Sequence, residues 1–222
     1  MAVFTPKYIT FDCYGTLINF DMAGAARRCY ADRVGADLMP LFITDFARYR
    51  LDEVLGPWKP YYNIVDGALQ RTCRKWKVEW QPEDSDFIYE DCKTWTAHPD
   101  VPSGLSRIAP HIPLVLLTNS MDDLITHHVP RLGAPIHMTI TAEETGAYKP
   151  AMRGFEVMLN KLDCGPEDIL HVSSSLRYDL MTAHDLGITH KVFVNRGHEP
   201  GCPEYGYTEI HDISELPSVV GL

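Results

Sequence analysis

Short apolar segments alternate with longer amphipathic segments along most of the chain, and this alternation constrains the fold more than any other feature. It is typical of a parallel β-sheet whose strands are joined by crossover helices. Residues 114–117 are all apolar, which predicts a central strand buried on both faces. The predicted strands are residues 8–11, 112–117, 137–140, 169–172 and 191–194, and the predicted helices between them lie near residues 121–131, 150–162 and 175–186. We therefore expect an α/β core with helices on both faces of the sheet.

Residues 18–98 depart from this alternation. They show little β-type patterning and contain helix-like stretches at residues 23–34, 41–55, 61–76 and 83–95, punctuated by Pro57, Pro60 and Pro82. Such a segment predicts a helical domain inserted after the first strand. Residues 1–17 and 99–222 would then form the core domain, a Rossmann-like parallel sheet.

Composition narrows the classes of partner. The chain has 222 residues, of which 45% are hydrophobic and 23% charged, as expected for a globular protein with an apolar core. The formal net charge of −10 argues against a nucleic-acid partner, because phosphate backbones are bound by clustered Lys and Arg. A small anion remains compatible with this charge, since a cleft can concentrate a few cations locally. No apolar run approaches the ~18 residues that span a bilayer, so no membrane partner is expected.

Cysteine spacing gives no sign of a zinc site. The six cysteines form no Cys-x-x-Cys pair and no zinc-type spacing with histidine; they are Cys13, Cys29, Cys73, Cys92, Cys164 and Cys202. Reduced thiols are typical of cytosolic proteins, and a disulfide framework is the less favoured alternative. Residues 1–7 lack the basic start and long apolar stretch of a signal peptide. We therefore expect a cytoplasmic protein.

Polar clusters follow the predicted strands, where an open parallel sheet binds its ligands. Taken singly, each cluster also has a structural interpretation as a turn, a helix cap, a surface charge or an exposed helix position. Together they predict a site at the carboxyl edge of the sheet. The clusters are Asp12-Cys13-Tyr14-Gly15-Thr16-Leu17, Thr118-Asn119-Ser120, Tyr148-Lys149-Pro150 and Ser173-Ser174-Ser175-Leu176-Arg177-Tyr178-Asp179.

The order of these clusters resembles the motif series of the haloacid dehalogenase superfamily. That series consists of Asp-x-Tyr-Gly-Thr-Leu, Thr-Asn, Tyr-Lys-Pro and a Ser-rich turn with Asp, and it is most similar to the type II (S)-2-haloacid dehalogenases. The resemblance covers nearly the whole chain, and the helical insert matches the cap domain of the family. Related dehalogenases are commonly dimers, so the resemblance leaves a homodimer open.

Two positions distinguish the branches of this superfamily. Its phosphatases carry a second Asp two residues after the nucleophile as general acid and base, whereas this chain has Tyr14 there, as the dehalogenases do. The phosphatases also carry a magnesium-binding Asp in the fourth motif, where this chain has Ser174. Magnesium prefers octahedral oxygen ligands that include carboxylates. The resemblance therefore implies an enzyme without metal or other cofactor, and a phosphatase is a less favoured alternative.

The resemblance also implies a mechanism. Asp12 attacks the α-carbon of a small 2-substituted carboxylic acid and forms an ester, which water hydrolyses to a 2-hydroxy acid. Lys149 should keep Asp12 ionised, because a nearby positive charge lowers a carboxylate pKa. Asp179 and Ser174 are expected to orient Lys149 and the hydrolytic water.

Further residues of the core are expected to contact the substrate. Thr118 and Asn119 should hydrogen-bond Asp12 or the substrate carboxylate, and Asn119 matches the halide-binding asparagine of the family. Tyr14 and Ser175 are also expected at the substrate. One position departs from the family, since Leu176 stands where the dehalogenases have an asparagine that helps to position water. Ser173 and Ser175 are the candidates to replace it.

The cap is expected to supply a cation and an apolar wall. The family uses a cap arginine to hold the leaving halide, and we assign Arg48 to this role with Arg50 as the alternative. Either arginine could instead form a surface salt bridge. Trp58 and Tyr61, with the neighbouring Tyr62, are expected to line the pocket, although aromatic side chains on helices more often pack within the fold.

Two rival functions remain open at this point. A relative in this superfamily opens the strained ring of azetidine-2-carboxylate by a similar attack next to the carboxylate, and its amine leaving group needs a proton. A catalytically silent protein that binds small acids is the other rival. The presence of both Asp12 and Lys149 argues against the silent protein.

Overall fold

The computed structural model describes residues 4–222. Its single sheet has six strands, all parallel, in the order β3-β2-β1-β4-β5-β6. The five strands expected from the sequence are present. The sixth is a three-residue edge strand that is partly exposed and was not predicted. The strands are β1 (Tyr8–Phe11), β2 (Leu114–Thr118), β3 (Met138–Thr141), β4 (Ile169–Ser173), β5 (Lys191–Val194) and β6 (Thr208–Ile210).

Helices occupy most of the remaining chain. The helix expected over residues 121–131 is only one turn, followed by a 3₁₀ turn that contains Pro130. The helix expected over residues 175–186 begins as a π-helical turn, Leu176–Leu180. The α-helices are α1 (Met22–Tyr30), α2 (Met39–Leu55), α3 (Tyr61–Trp76), α4 (Pro82–Cys92), α5 (Val101–Ile108), α6 (Asp122–Ile125), α7 (Ala142–Thr145), α8 (Arg153–Leu162), α9 (Met181–Asp185) and α10 (Leu216–Val219).

The chain divides into two compact units. The core unit contains Thr96–Leu222 and the chain up to Asn19, and the helical unit is Phe20–Trp95. The sequence pattern put these boundaries at 17/18 and 98/99. They lie nearer the helices because the two connecting segments pair with each other. Ile18 bridges to Ala97 in antiparallel fashion, and the Asn19 amide donates to the Thr96 carbonyl at 2.9 Å.

The sheet of the core unit is buried by helices on the face that carries Thr10 and Asp12. Because side chains alternate along a strand, His171 and Ser173 of β4 project from this face as well. Its apolar cluster joins β2, β3 and β4 to α8 and α9 and consists of Val115, Leu117, Ile140, Phe155, Met158, Leu162, Ile169, Ala183 and Ile188. The carboxyl ends of β1, β2 and β4 therefore lie side by side at one edge of the sheet.

The helical unit has its own core. Helices α2 and α3 pack against each other, and Phe42, Phe46, Ile64 and Leu69 are fully or almost fully buried. A buried polar cluster joins α1 to α4, where Asp84 accepts hydrogen bonds from Tyr30 and Arg33. Burying a carboxylate is costly unless such donors are present, so this cluster fixes the pairing of the two helices.

Two further observations concern the expectations about a membrane partner and about disulfides. None of the helices formed by residues 4–222 has the length and apolar content needed to cross a bilayer. All six cysteines are free thiols.

Gly104 provides a test of the core packing. A Cβ added at Gly104 would lie 2.4 Å from the Ile213 carbonyl oxygen, so Gly104→Ala must displace backbone. We expect Gly104→Ala to lower the free energy of unfolding by about 1–3 kcal/mol, measured by denaturant titration. Gly35→Ala is the matched control, because a Cβ at Gly35 meets nothing within 4 Å. Equal stability of the two variants would contradict the packing.

Candidate active site

Asp12 leaves β1 at the carboxyl edge of the sheet. Its amide still donates to the Val172 carbonyl at 3.0 Å, so the strand pairing fixes the start of the loop. Gly15 has φ +92°, a conformation that favours glycine, and the turn brings Thr16 back to the carboxylate. Thr16 Oγ1 donates to Asp12 Oδ2 at 2.7 Å, and Lys149 Nζ donates to Asp12 Oδ1 at 2.8 Å. Asp12 is only 7% exposed, so these donors hold it in one orientation.

Lys149 is the cation of the site and is 2% exposed. Besides the bond to Asp12, its Nζ donates to the Leu117 carbonyl at 2.8 Å and to Asp179 Oδ1 at 2.7 Å. Three acceptors thus satisfy the three N–H groups of the ammonium. Asn119 fixes the backbone of Lys149, because its Oδ1 accepts from the Lys149 amide at 2.7 Å and its Nδ2 donates to the Lys149 carbonyl at 3.0 Å.

Asp179 lies in the π-helical turn after β4 and is fully buried. Its Oδ1 accepts from Lys149 and from His171 Nε2, the latter at 3.1 Å. Its Oδ2 accepts from Ser173 Oγ at 3.0 Å. Asp179 therefore has more donors than Asp12, although both share the same ammonium.

Burial is the largest influence on these charged groups, and their partners decide the outcome. Burial raises the pKa of Asp12, the charge of Asp179 adds to the rise, and Lys149 and Thr16 oppose it without cancelling it. Burial acts in the same direction on the pKa of Asp179, but the charge of Lys149 and the hydrogen bond from His171 outweigh it and lower that pKa. Lys149 acts on Asp12 as the sequence suggested, yet Asp12 is the more basic carboxylate, which suits a nucleophile.

The pKa of Lys149 moves upward. Burial is again the largest influence and acts to lower it, but the charges and hydrogen bonds of Asp12 and Asp179 outweigh burial. The ammonium form is therefore favoured in the folded protein. Asp12, Lys149 and Asp179 together carry one net negative charge when all are ionised.

A second set of contacts holds the loop that carries Thr16. The Ser174 amide donates to Thr16 Oγ1 at 2.8 Å, and Ser174 Oγ lies 3.1 Å from the same oxygen. Arg196 Nη2 donates to the Thr16 carbonyl at 3.0 Å and pairs with Asp100 at 2.8 Å. Arg196, just after β5, thus supports the loop that carries Thr16.

Thr118 stands out among the predicted site residues because its hydroxyl is left unpaired. It is 1% exposed, and its buried Oγ1 has no hydrogen-bond partner within the described part of the chain. An unpaired buried hydroxyl costs about 1–3 kcal/mol. The position at the end of β2, one residue after the carbonyl that Lys149 binds, makes it available to a ligand.

The phenol of Tyr14 is hydrogen-bonded to neighbouring side chains. Its phenol oxygen lies 2.8 Å from His128 Nδ1 and 3.1 Å from Ser120 Oγ, and the two rings pack edge to face. His128 is fully buried. The residue that replaces the general acid of the phosphatases is thus joined to a second group that can carry a proton.

Ser175 and Leu176 make contacts within the protein. Ser175 Oγ donates to Glu199 Oε1 at 2.8 Å, and the Leu176 amide donates to Glu199 Oε2 at 2.9 Å. The Leu176 side chain packs with Leu180 and Phe193. Glu199 therefore caps the π-helical turn, and Leu176 belongs to the core.

The two arginine candidates of the helical unit differ in their surroundings. The Arg48 side chain is 74% exposed and pairs with Asp45 at 3.5 Å. The Arg50 guanidinium lies 4.8 Å from the ring centre of Phe20 and 5.7 Å from that of Phe46, and its Nη1 is buried without a hydrogen-bond partner in residues 4–222. Arg50 therefore has the features of a ligand-binding cation, whereas Arg48 has those of a surface residue.

The aromatic candidates also differ from each other. Trp58 is 41% exposed, whereas Tyr61 is 8% exposed at the first position of α3. Tyr62 donates to Asp86 Oδ1 at 2.8 Å and so belongs to the surface of the helical unit.

The site also contains residues that the sequence analysis did not assign. Thr16 contacts Asp12, and His171 contacts Asp179. Ser173, which the sequence offered as a candidate to position water, instead donates to Asp179. Thr16 lies within a recognised motif and could have been assigned from it. His171 could have been noticed as a titratable residue inside an apolar strand, although the sequence does not show its partners.

The donor set does not fit the magnesium site of a phosphatase. Within residues 4–222, no group of three or more His, Cys, Asp or Glu side chains is arranged to hold a metal ion. Lys149 and Thr16 engage both oxygens of Asp12, and Ser174 offers a hydroxyl where a carboxylate would be needed.

This fold and this arrangement define a hydrolase built around a buried Asp and Lys, and comparison with known families agrees. The model of haloacid dehalogenase-like hydrolases matches residues 6–187, so the chain belongs to that family.

The chain is also similar to individual proteins. It is 26% identical to (S)-2-haloacid dehalogenase 4A of Burkholderia cepacia, over 93% of this chain and 91% of the relative. It is 22% identical to (S)-2-haloacid dehalogenase 1 of Pseudomonas sp. (strain CBS-3), over 95% and 94%. The structure of L-2-haloacid dehalogenase from Xanthobacter autotrophicus with covalently bound chloropropionic acid superposes with a TM-score of 0.79 at 17% identity, covering 97% of this chain and 98% of that one.

The raised pKa of Asp12 predicts a stability effect. Folding disfavours its ionised form, so Asp12→Asn should raise the free energy of unfolding at neutral pH by about 1 kcal/mol. The gain should fade as the pH drops through the raised pKa towards the ordinary value of Asp, because Asp12 is then protonated in both states. Denaturant titrations at several pH values measure this difference.

Lys149→Met should have the opposite effect on stability. It leaves two buried carboxylates without their cation and should lower stability by about 3–5 kcal/mol. A loss of stability in Asp12→Asn at neutral pH would show that folding does not disfavour the ionised form of Asp12.

Proposed function

We propose that the chain is a hydrolase of small 2-haloacids, most simply an (S)-2-haloacid dehalogenase that works through an ester on Asp12. A carboxylate oxygen of Asp12 attacks C2 of the acid, and the halide leaves with the bonding electron pair. Water then attacks the carboxyl carbon of the ester and releases the 2-hydroxy acid, a proton and free Asp12. The only bond change at C2 is the first displacement, so an (S)-haloacid gives the (R)-hydroxy acid.

The observation that carries this proposal is the setting of Asp12. It is a buried, basic carboxylate that is held by Lys149 and Thr16 and lies in a donor set that does not fit magnesium. Phosphoryl transfer relies on metal ions and a proton acceptor at the attacking group. Displacement of a halide needs neither, because a halide leaves without a proton. The names of the relatives point to the same reaction.

Thr118 and Arg50 are the groups that we assign to the anions. The unpaired Thr118 hydroxyl would donate to the substrate carboxylate, which would satisfy it. Arg50, whose buried Nη1 has no partner in the described chain and which has aromatic rings beside it, is our assignment for the cation that holds the departing halide or the carboxylate. Asn119 would act through the backbone of Lys149.

Ser174 is our assignment for the hydrolytic step. Leu176 packs in the core, and Asp179 is engaged by Lys149, His171 and Ser173. Ser174 is 5% exposed, and its hydroxyl lies beside Thr16, the second donor to Asp12. A water hydrogen-bonded to Ser174 would therefore lie near the carboxyl carbon of the ester.

One observation favours a second candidate, ring opening of azetidine-2-carboxylate. The leaving nitrogen of that substrate must be protonated, and Tyr14 carries a phenol that is joined to the buried His128. A phenol backed by an imidazole can deliver a proton and recover it. The two candidates share Asp12 and Lys149 and differ in whether Tyr14 must act as an acid.

A substrate panel tests the proposal. We expect chloride release and (R)-lactate from (S)-2-chloropropionate, unchanged by EDTA, and no activity on (R)-2-chloropropionate or p-nitrophenyl phosphate. Primary amine formed from azetidine-2-carboxylate alone would establish the second candidate. Magnesium-dependent phosphate release without halide release would overturn both.

The ester intermediate can be tested directly in the same preparation. In a single turnover with enzyme in excess in oxygen-18 water, label should enter the peptide that contains Asp12 before it enters lactate. Mass spectrometry of the digested protein measures this. Label that appears in the first lactate molecules would mean that water attacks C2 directly.

The two arginines of α2 provide a matched pair of variants. Arg50→Gln should lower kcat/KM for chloropropionate by about 10²-fold or more, because a buried charge-assisted contact is worth about 2–5 kcal/mol. Arg48→Gln removes the same charge two residues away at an exposed position and should change it less than about twofold. Similar losses in both variants would mean that general electrostatics, rather than Arg50, is responsible.

A further inference from the structure

A buried histidine lies behind the catalytic carboxylates. His171 is in β4, is fully buried, and stands opposite Thr10 of β1 in the strand register. Both side chains lie on the face of the sheet that also carries Asp12. The mechanism proposed above does not use His171.

Both ring nitrogens of His171 are hydrogen-bonded. Nε2 lies 3.1 Å from Asp179 Oδ1, and Nδ1 lies 2.8 Å from Thr10 Oγ1. An ionised carboxylate only accepts, so Nε2 carries a proton. The Thr10 hydroxyl then donates to Nδ1, because its alternative acceptor, the Leu170 carbonyl, lies at the longer distance of 3.5 Å. This geometry fits the neutral ring with its proton on Nε2.

The surroundings allow the ring little freedom. The Phe155 ring packs edge-on against it, with ring centres 5.0 Å apart at 66°. On β5, Lys191 is the register neighbour of His171, and its ammonium donates to the Ile188 carbonyl at 2.6 Å. Asp179, Lys149 and Lys191 are the charged groups around the ring. Of these, Asp179 is the one that His171 contacts.

We propose that His171, held by Thr10, is a positioning residue of the catalytic centre that orients Asp179 and through it the ammonium of Lys149. The chain of contacts runs from Thr10 to His171, Asp179, Lys149 and Asp12, with each step at 3.1 Å or less. This inference rests on the proposed function, because it assigns His171 to the attack by Asp12.

The chain has a chemical consequence for the nucleophile. The donor from His171 favours the ionised form of Asp179, so a proton that reaches the pair is taken up by Asp12 first. Without His171, Asp179 would compete for that proton and Asp12 would stay ionised at lower pH. A displaced Lys149 would also slow the reaction, since a misplacement of about 1 Å can cost about 10²-fold in rate.

Two pairs of variants separate positioning from simple stability. Thr10→Val and His171→Leu remove hydrogen bonds, whereas Thr10→Ser keeps the hydroxyl and His171→Gln offers an N–H in place of Nε2. Thr72→Val is the control, because Thr72 is an equally buried threonine that bonds only to its own helix, at the Ala68 carbonyl. All are assayed per folded enzyme, with folding followed by circular dichroism.

The first readout is kinetic. For (S)-2-chloropropionate, Thr10→Val and His171→Leu should lower kcat about 10²-fold, change KM less than about threefold and move the acid limb of the kcat/KM profile to lower pH. Thr10→Ser and His171→Gln should recover most of the loss, and Thr72→Val should match the parent. Variants that keep the parent kcat, or losses that the conservative changes do not recover, would overturn the proposal.

The second readout needs no substrate and so remains valid if the proposed function fails. Nitrogen-15 NMR of labelled histidine should show His171 with its proton on Nε2 and an unprotonated Nδ1. Carboxyl carbon-13 titration should show Asp12 taking up a proton at higher pH than Asp179, and the gap should narrow in His171→Leu. A wild-type enzyme that releases no halide would refute the dehalogenase function alone, whereas an unchanged titration in His171→Leu would refute the role of His171.

Discussion

The site depends on one buried ammonium that serves two buried carboxylates. Lys149 Nζ lies 2.8 Å from Asp12 and 2.7 Å from Asp179, and neither partner has appreciable access to solvent. An isolated charge in such a place would be costly, and two carboxylates without a cation would repel each other. Both carboxylates therefore need the ammonium of Lys149. The parallel sheet makes this arrangement possible, because the loops after β1, β2 and β4 leave it at the same edge.

The two carboxylates are not equivalent, and the difference comes from their other donors. Asp179 is held by His171 and Ser173 in addition to Lys149, so its pKa falls despite burial. Asp12 has Thr16 as its further donor, and its pKa rises. When their environments push the pKa values of two neighbouring acids apart, the two acids can take different roles. Here the difference leaves Asp12 as the more basic carboxylate and Asp179 as the one whose ionised form is favoured.

The same fold supports several chemistries, so the reaction must be argued from the site. Tyr14 and Ser174 occupy positions where the phosphatases of this fold use carboxylates. Tyr14 is joined to His128, and Ser174 to the loop that holds Asp12. The polar groups that remain for a ligand are few, and Thr118 is distinctive because its hydroxyl is buried without a partner in the described chain. The proposed attack at carbon on a small anionic substrate rests on these features.

The sequence by itself determined the five main strands, the helical insert and the meeting of Asp12, Lys149 and Asp179, because these follow from local periodicity and from short motifs at strand ends. The sequence pattern did not predict the edge strand β6 or the break in the helix near residue 125, because both elements are short and depend on their neighbours. Only the tertiary structure decided the hydrogen-bond partners. Asn119 holds the backbone of Lys149, and Thr10 reaches His171 across the sheet. Such contacts join residues far apart in the chain, and no local pattern encodes a distance between them.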